Sequence, residues 1–190
     1  MLSVGPALDR IFDLVTPLES ECVALGDAAG RVLTKPARAD RDQPPFAASA
    51  MDGYAVQHGD AAPGAVLEVI GQAAAGHRYS GSVGSGQAVR IFTGAPVPDG
   101  ADRVIIQEDV HRDGARITLG DPLDAARHIR PAGSDFKRGT ELSAPRRLRP
   151  SDLALLAAMN AATVTVSRRP VVALIATGNE LVVPGEPPGS

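Results

Sequence analysis

Residues 104–119 read V-I-I-Q-E-D-V-H-R-D-G-A-R-I-T-L, in which two short runs of apolar and β-branched residues lie on either side of Asp113-Gly114. An Asp-Gly pair is typical of a hairpin turn, because both residues tolerate the positive φ that such a turn requires. The stretch therefore predicts β-structure and sets the fold class of the middle of the chain.

Further β-type runs surround this hairpin in a zone, residues 39–127, that is dense in glycine and proline. The runs cover residues 66–70, 88–92, 104–107 and 116–119. Several short strands at close spacing are typical of a small sandwich or barrel-like β-domain. The Gly-Ser segment 81–86 is too short for a linker, and we interpret it as a loop.

The zone before residue 39 indicates helix. Apolar residues recur at helical spacing over residues 4–15, with Ser3 as a cap and Pro17 as a stop. A shorter helix is expected over residues 27–33, with Asp27 as its cap.

The zone after residue 127 combines helix and strand. A helix is expected to begin at Pro150, which suits the first turn, and to end at Asn160, which can adopt the left-handed cap conformation. A strand is expected over residues 163–166. Residues 171–176 are apolar at every position, as in a buried strand of a parallel sheet. Because such a strand needs neighbours on both sides, we expect the chain to stop at the entrance to a further α/β domain.

Composition and charge argue against several classes of protein. The chain carries a formal net charge of -3, 3% aromatic residues and no tryptophan, which disfavours nucleic-acid binding. Cys22 is the only cysteine, so an internal disulfide cannot form, and a reducing compartment is the simplest setting. The N-terminus lacks the features of a signal peptide, and no segment approaches a membrane span. We expect a cytoplasmic protein that binds neither nucleic acid nor membrane.

Candidate chemistry is confined to polar residues in expected turns, which are Ser49, Asp52, Tyr54, Thr93, Gln107, Glu108, Asp109, Arg130 and Asp135. The four histidines and one cysteine are scattered, so no metal-ligand spacing exists. Asp52-Gly53 allows two interpretations, an ordinary turn or a carboxylate aimed at a ligand. Residues 127–149 carry seven Arg and Lys residues against two acidic ones, which indicates either a solvated face or a wall that faces an anion.

Six ordered motifs carry a family resemblance. They are F-A-A-S-A-M-D-G-Y-A-V from residue 46, V-R-I-F-T-G-A-P-V-P-D-G-A-D from 89, V-I-I-Q-E-D from 104, I-R-P-A-G-S-D-F-K-R-G from 129, R-R-P-V-V-A-L-I-A-T-G-N-E-L from 168 and V-P-G-E-P from 183. Together they resemble the molybdopterin molybdenumtransferase family, the group of MoeA and the gephyrin E domain. The resemblance covers essentially the whole chain but only the front half of a typical member.

The resemblance implies an α+β fold. A helical or mixed domain would be made of two chain segments, residues 1–38 and 128–168, with an all-β domain, residues 39–127, inserted between them. Residues 169–190 would supply the first strand of a truncated α/β domain that binds molybdopterin. Family members form elongated dimers, so a homodimer is expected here.

The family's reaction implies the function. Molybdenum from molybdate is inserted into adenylylated molybdopterin with release of AMP and assistance from Mg²⁺, so the isolated chain is expected to be the inactive N-terminal part of this enzyme. By motif match, Asp52, Thr93, Asp135 and Glu180 would be catalytic, and Ser49 and Arg130 would bind substrate. Which residues bind Mg²⁺ stays open, and molybdopterin adenylyltransferase is a candidate partner.

Departures from the family pattern leave a second hypothesis open. Polar residues usual in the family are replaced by Ala47, Ala48 and Ser134, and Asn179 stands for an aspartate, which weakens the case for metal coordination. The family's glycine-rich and P-G-N-P motifs, which hold the nucleotide and the pterin phosphate, are absent from the sequence. The alternative is therefore a non-catalytic binding or dimerisation module. The apolar segment 171–176 favours the truncated enzyme, because it would be aggregation-prone in a self-sufficient module.

Overall fold

The computed structural model describes residues 3–178 and 180–187, so Asn179 lies outside the described part of the chain. The α-helices are α1 (Val4–Asp13) and α2 (Pro150–Ala158), and single 3₁₀ turns cover Leu25–Asp27, His58–Asp60 and Gln107–Asp109. The strands are β1 (Ser20–Ala24), β2 (Val32–Leu33), β3 (Ala37–Arg38), β4 (Ala48–Ser49), β5 (Gly53–Val56), β6 (Val66–Ala73), β7 (Gln87–Ile91), β8 (Arg103–Ile106), β9 (Val110–Asp113), β10 (Arg116–Leu119), β11 (Ile129–Arg130), β12 (Glu141–Leu142), β13 (Arg146–Arg147) and β14 (Thr163–Ser167). None of the described helices has the length and apolar character needed to cross a membrane. The expected mixed α+β class is confirmed.

The middle of the chain forms a six-stranded sheet in the order β8-β5-β7-β6-β10-β9. Its neighbours are antiparallel except β6 and β7, which run parallel. All four runs that were expected to be strands lie in this sheet, and Gly114 turns the expected hairpin with a φ of 55°. The hairpin joins β9 to β10 and does not use residues 104–107, because the 3₁₀ turn Gln107–Asp109 separates those residues from β9.

This sheet buries side chains on both faces, in two apolar clusters. One contains Tyr54, Val56, Leu67, Ala88, Ile105, Ile117 and Leu119, and the other contains Ala55, Ala73, Val83, Val89, Ile91, Ala95 and Val104. Successive residues of β5 alternate between the two clusters, as the pleat of a strand requires. Strand β5 is buried at every position because it lies between β8 and β7.

A third apolar core combines residues from before and after the six-stranded sheet. Its buried members are Ala28, Leu33, Ala39, Leu142, Leu148, Leu156, Met159, Val164 and Val166. They join α2 to a four-stranded antiparallel sheet in the order β1-β14-β2-β13. Each buried Leu contributes about 1.5–3 kcal/mol relative to an exposed one. This core thus packs one helix, α2, against four strands, whereas the sequence before residue 39 predicted helix and no strand.

The expected helix over residues 27–33 is wrong. The 3₁₀ turn ends at Asp27, Gly30 has a φ of 72°, and β2 follows. Strand β2 pairs with β13 and β14, and this pairing leaves Leu33 with no exposed surface. The expected helix would have only seven residues, about two turns, and isolated helices of that length are marginal in water.

The two other expected helices are confirmed. α1 follows Ser3 and ends before Pro17, although it buries none of its residues. α2 begins at Pro150, and Asn160 follows it with a φ of 68°. Asp152 is the third residue of α2, and its carboxylate accepts a hydrogen bond from the Arg149 backbone N–H at 2.9 Å.

The expected buried strand over residues 171–176 is not formed in this structure. Val171 is 100% exposed and Leu174 is 95% exposed, and no strand of the described residues pairs with the segment. A parallel strand is stabilised by neighbours on both sides and by helices on its faces. The described part of the chain supplies neither, so residues 169–178 and 180–187 contain no first strand of an α/β domain.

Candidate functional site

Asp52 and Thr93 form the first candidate pair. Asp52 precedes β5 and Thr93 lies just after β7, and these strands are antiparallel neighbours with Gly53 opposite Ile91. Oδ1 of Asp52 accepts hydrogen bonds from the backbone N–H and from the hydroxyl of Thr93, both at 2.7 Å. The register of the sheet therefore brings together two residues that are far apart in the sequence.

The two bonds from Thr93 determine the charge of Asp52. The backbone N–H bond and then the hydroxyl bond hold the pKa of the carboxyl below its ordinary value, and the positive charge of Arg90 adds a smaller lowering, while burial opposes them. Asp52 is therefore an anion at neutral pH. Its second oxygen, Oδ2, has no hydrogen bond to the residues that the structure describes, so it is free to accept one from a ligand.

Gly53 does not supply the turn that the Asp-Gly pair suggested. It is the first residue of β5, and it is not among the glycines with positive φ. A Cβ at this position would lie 1.9 Å from the carbonyl oxygen of Ile105 on β8. Glycine is therefore required because the backbone of β8 approaches so closely. The same close approach fixes the position of Asp52, the residue just before β5.

Ser49 is buried and its hydroxyl is already paired. The residue is 1% exposed, and Oγ donates a hydrogen bond to the Met51 carbonyl oxygen at 2.6 Å. Its backbone N–H donates to the Ala95 carbonyl oxygen at 3.0 Å. This environment does not fit the expected role in substrate binding. Ser49 instead fixes the segment before Asp52 against the segment after Thr93.

Arg130 and Asp135 form the second candidate pair. The Arg130 guanidinium donates a hydrogen bond to Oδ1 of Asp135 at 2.5 Å, and the two side chains are 50% and 45% exposed. Arg130 belongs to β11, which pairs antiparallel with β4 and places Arg130 opposite Ala48. An exposed guanidinium of this kind is accessible to an anionic ligand.

Strand β4 connects the two candidate pairs. β11 lies on one side of β4, and the segment just after Thr93 lies on the other, where it is hydrogen-bonded to Ser49. Arg130 and Pro96 both lie opposite Ala48, and Thr93 is three residues from Pro96. With neighbouring strands about 4.8 Å apart and a rise of about 3.3 Å per residue, the backbones at Thr93 and Arg130 are on the order of 14 Å apart. Only an extended ligand, about the size of a nucleotide, could contact both pairs.

Glu180 is not joined to these pairs in this structure. It lies in an exposed turn in which the Leu181 backbone N–H donates to the Gly178 carbonyl oxygen at 3.3 Å. No hydrogen bond or ion pair between described residues connects Glu180 to Asp52 or Arg130. Its catalytic role stays a prediction from the resemblance.

The basic segment 127–149 does not form one wall. Three of its arginines are in ion pairs, Arg127 with Asp102, Arg130 with Asp135 and Arg146 with the buried Asp152. Arg147 and Arg149 line an open cavity of about 830 Å³ at the start of α2. The positive charge is thus distributed over separate surfaces.

The described residues do not by themselves make a site for Mg²⁺. They contain no group of three or more His, Cys, Asp or Glu side chains placed to hold a metal ion. Oδ1 of Asp52 is bonded to Thr93, and Oδ1 of Asp135 is bonded to Arg130. Mg²⁺ requires near-octahedral oxygen ligands, so this part of the chain could supply only a fraction of them.

Sequence reasoning did not single out Arg90, which lies beside the first pair. Its guanidinium carbon is 5.1 Å from the centre of the Tyr54 ring and 4.8 Å from that of Phe92. Residues two apart on a strand share a face, so the V-R-I-F pattern already places Arg90 beside Phe92. That spacing, in a chain with few aromatic residues, was the available indication.

Relatives of known sequence match the whole chain. Residues 2–160 match the family described as MoeA N-terminal region (domain I and II). The molybdopterin molybdenumtransferase of Nostoc sp. is 37% identical over 197 residues, which cover 98% of this chain and 45% of that protein. The protein of the same name from Haemophilus influenzae is 37% identical over 191 residues, with 98% of this chain and 47% of that protein covered.

Solved structures agree with these matches. The crystal structure of the molybdopterin biosynthesis MoeA protein from Pyrococcus horikoshii OT3 is similar with a TM-score of 0.84 at 34% identity, over 98% of this chain and 51% of that one. The chain thus spans about half the length of the relatives it matches. It belongs to the MoeA family of molybdopterin molybdenumtransferases, and it corresponds to the N-terminal half of its members.

Proposed function

We propose that this chain is the N-terminal part of a molybdopterin molybdenumtransferase that acts in molybdenum cofactor biosynthesis. The observation that carries the proposal is the Asp52–Thr93 pair, an ionised carboxylate with an unbonded oxygen at the end of two paired strands. The named relatives support it, because they align with nearly the whole chain.

The proposed reaction inserts molybdenum from molybdate into adenylylated molybdopterin and releases AMP. Both substrates are anions rich in oxygen acceptors, so the exposed Arg130 guanidinium suits a phosphate or an oxyanion. Asp135 would hold Arg130 in place until such a ligand competes for it. Asp52 is ionised and would repel a phosphate, so we assign its Oδ2 to a hydroxyl or another protonated group of the substrate.

The domain division belongs to the same proposal. Residues 1–38 and 128–168 would form one domain, residues 39–127 the inserted domain and residues 169–190 the start of the next. The two-segment third core and the separate clusters of the six-stranded sheet support this division. Glu180 would reach the site only when the segment before it gains strand neighbours.

Assembly completes the proposed site. By the family resemblance, the pterin-binding part would lie in the half of the relatives that this chain does not match, so the isolated chain would be inactive and a homodimer would complete the cleft. A requirement for Mg²⁺ and an encounter with molybdopterin adenylyltransferase are predictions from the family resemblance, and a cytoplasmic location is a prediction from the single cysteine and the composition of the N-terminus.

A second candidate function is a non-catalytic binding or dimerisation module. The observation that favours it is the exposed apolar surface of α1, on which Val4 is 76% exposed, Ile11 55% and Phe12 68%. Self-association of this chain without any turnover of substrate by the whole gene product would support this candidate over the enzyme.

The deciding experiment measures AMP release and molybdenum insertion by the gene product that contains this chain. We expect Asp52→Asn to lower the rate at least about tenfold, because the uncharged amide cannot accept a proton and donates where the carboxylate accepted. Glu68→Gln on β6, an exposed carboxylate of the same sheet, is the matched control and should retain the full rate. Wild-type activity in the Asp52→Asn protein would remove Asp52 from the site, and a wild-type gene product without this activity would refute the proposed function.

A further inference from the structure

The environment of Arg90 is unusual for this chain. The sequence has two Tyr, four Phe and no Trp, and two of these six aromatic rings lie against one guanidinium. Tyr54 is on β5 and Phe92 follows β7, so the stack joins the two strands that carry the candidate pair. A guanidinium within about 6 Å of two ring centres gains cation–π attraction from both rings, and these contacts restrict its rotation.

Two hydrogen bonds add to these ring contacts of the Arg90 guanidinium. One terminal nitrogen donates to the carbonyl oxygen of Gly53 at 3.3 Å, and the other donates to Oε1 of Gln107 at 2.6 Å. The backbone N–H of Gln107 in turn donates to the carbonyl oxygen of Asp52 at 3.1 Å. Arg90 is therefore linked to Asp52 in two ways, through Gly53, which follows Asp52 in the chain, and through Gln107, which is hydrogen-bonded to it.

The contacts of Arg90 border both members of the candidate pair. Gly53 is the residue after Asp52, and Phe92 is the residue before Thr93. Rotation of the Arg90 side chain would remove its hydrogen bond to Gly53, on the Asp52 side, and its contact with Phe92, on the Thr93 side, together. The side chain itself is committed to protein partners, which distinguishes it from a group that contacts substrate.

We propose that Arg90 is the positioning residue of the Asp52–Thr93 pair. Its stacked guanidinium keeps the start of β5 and the end of β7 at the separation at which Oδ1 of Asp52 meets both donors of Thr93. This inference adds a positioning residue to the proposed function, and it rests on that function only because it takes Asp52 and Thr93 as part of the functional site.

A planar guanidinium is needed for this role, and a positive charge alone is not enough. Lysine carries the same charge but has a compact ammonium, so it cannot lie flat between two rings and donate in plane to Gly53 and Gln107. A merely structural arginine would show a different pattern, in which removal lowers the stability of the sheet without any selective change at Thr93.

The test uses NMR on the ¹⁵N-labelled 190-residue chain and follows the Thr93 amide, whose proton is donated to Asp52. Two quantities are measured, the amide hydrogen-exchange rate and the midpoint of the amide shift in a pH titration. The variants are Arg90→Met, Arg90→Lys and the control Arg116→Met, which removes an exposed arginine from β10 of the same sheet.

We expect Arg90→Met to speed exchange at Thr93 at least about tenfold and to move the titration midpoint upward, because the pair loses both its spacing and a neighbouring positive charge. Arg90→Lys should exchange as fast as Arg90→Met and should also move the midpoint upward, but by less than Arg90→Met does, because the neighbouring positive charge is retained. Arg116→Met should leave both quantities unchanged.

Two outcomes overturn the proposal. One is wild-type exchange at Thr93 in Arg90→Met, and the other is full recovery of both quantities in Arg90→Lys. If Arg90→Met does not fold, Phe92→Leu replaces it, and wild-type exchange in that variant has the same meaning. Lack of molybdenum insertion by the wild-type gene product would defeat the enzyme assignment and leave the NMR result standing, whereas unchanged Thr93 signals in Arg90→Met would defeat only the role of Arg90.

Discussion

The carboxylate of Asp52 accepts two hydrogen bonds from Thr93, a residue 41 positions further along the chain. Thr93 lies in a turn in which the Ala95 backbone N–H donates to the Phe92 carbonyl oxygen, but this local turn does not include Asp52. The contact between Asp52 and Thr93 depends on the register of β5 against β7, so changes that leave the sheet intact can still be used to test the pair one bond at a time.

Substitutions of Thr93 distinguish how much each of its two hydrogen bonds lowers the pKa of Asp52. Thr93→Val removes the hydroxyl and keeps the backbone N–H, so the pKa of Asp52 should rise toward its ordinary value without reaching it. Thr93→Ser keeps both donors and should leave the pKa of Asp52 unchanged. The measurement is a pH titration of the Asp52 carboxyl carbon by NMR, and an unchanged midpoint in Thr93→Val would contradict the bonding described here.

Replacing Arg130 should separate activity from stability. Because Arg130 and Asp135 are both about half exposed, Arg130→Gln should change the free energy of unfolding by less than about 1 kcal/mol. If the guanidinium binds an anionic substrate, the same change should lower molybdenum insertion by the whole gene product at least about tenfold. Arg38→Gln, which breaks the exposed pair with Glu141 on β12, is the control and should alter neither quantity. Equal activity in both variants would remove Arg130 from the site.

Asp152 should make the third core sensitive to acid. The hydrogen bond from the Arg146 guanidinium, then that from the Arg149 backbone N–H, hold the pKa of Asp152 below its ordinary value. A lowered pKa in the folded state means that the carboxylate stabilises the fold above the pKa of the unfolded chain, about 3.9, and that this contribution is lost as the pH falls through the folded-state pKa.

The corresponding measurement is urea unfolding of the chain between about pH 7 and pH 2.5. Asp152→Asn should lower the free energy of unfolding at pH 7, and its curve should approach that of the wild type at the acid end. Asp9→Asn on the exposed helix α1 serves as the control and should follow the wild type throughout. A constant difference at every pH would show that Asp152 acts by packing and not by charge.

Gly53 should be intolerant of any side chain. A Cβ would lie 1.9 Å from the carbonyl oxygen of Ile105, so Gly53→Ala must push β5 and β8 apart and should cost about 3 kcal/mol of stability. Gly59→Ala, where nothing lies within 4 Å of the added Cβ, should be nearly neutral. Chemical denaturation of both variants checks this, and equal midpoints would mean that the two strands are not in such close contact.

Removal of the segment after Pro170 should not weaken the rest of the fold. Leu174 and Ile175 are 95% and 83% exposed, so their loss removes no buried apolar surface. The chain ending at Pro170 should unfold at the same temperature as the chain of 190 residues and should aggregate less, since an exposed apolar segment has been removed. A lower unfolding temperature would show that the segment packs on the core after all.

Elements with a strong local pattern could be predicted from the sequence. The long strands β6, β7, β8 and β10 follow from runs of β-branched residues, and α2 follows from its proline start and asparagine end. The two-residue strands β2, β4, β11 and β13 could not be predicted, because each is defined only by a partner distant in the sequence. The same reason explains why residues 27–33 were expected to be helical.

The candidate site shows the same limit. Motif matches named Asp52, Thr93 and Arg130, but their contacts follow from strand pairing that no single motif contains. The Asp52-Gly53 pair was interpreted through turn chemistry, whereas the structure requires glycine because of a backbone on another strand. Arg90 was overlooked because an arginine on a strand is usually exposed and solvated.

The pairing of β4 with β11 has a practical consequence for protein engineering. The polypeptide enters the six-stranded unit along one of these strands and leaves it along the other, and paired backbones of this kind are only about 5 Å apart. The intervening segment can therefore be exchanged as a cassette between homologous enzymes without stretching the junctions in the recipient. Chimeras built at these two strands would carry Asp52, Arg90 and Thr93 from one donor organism as a single inherited block.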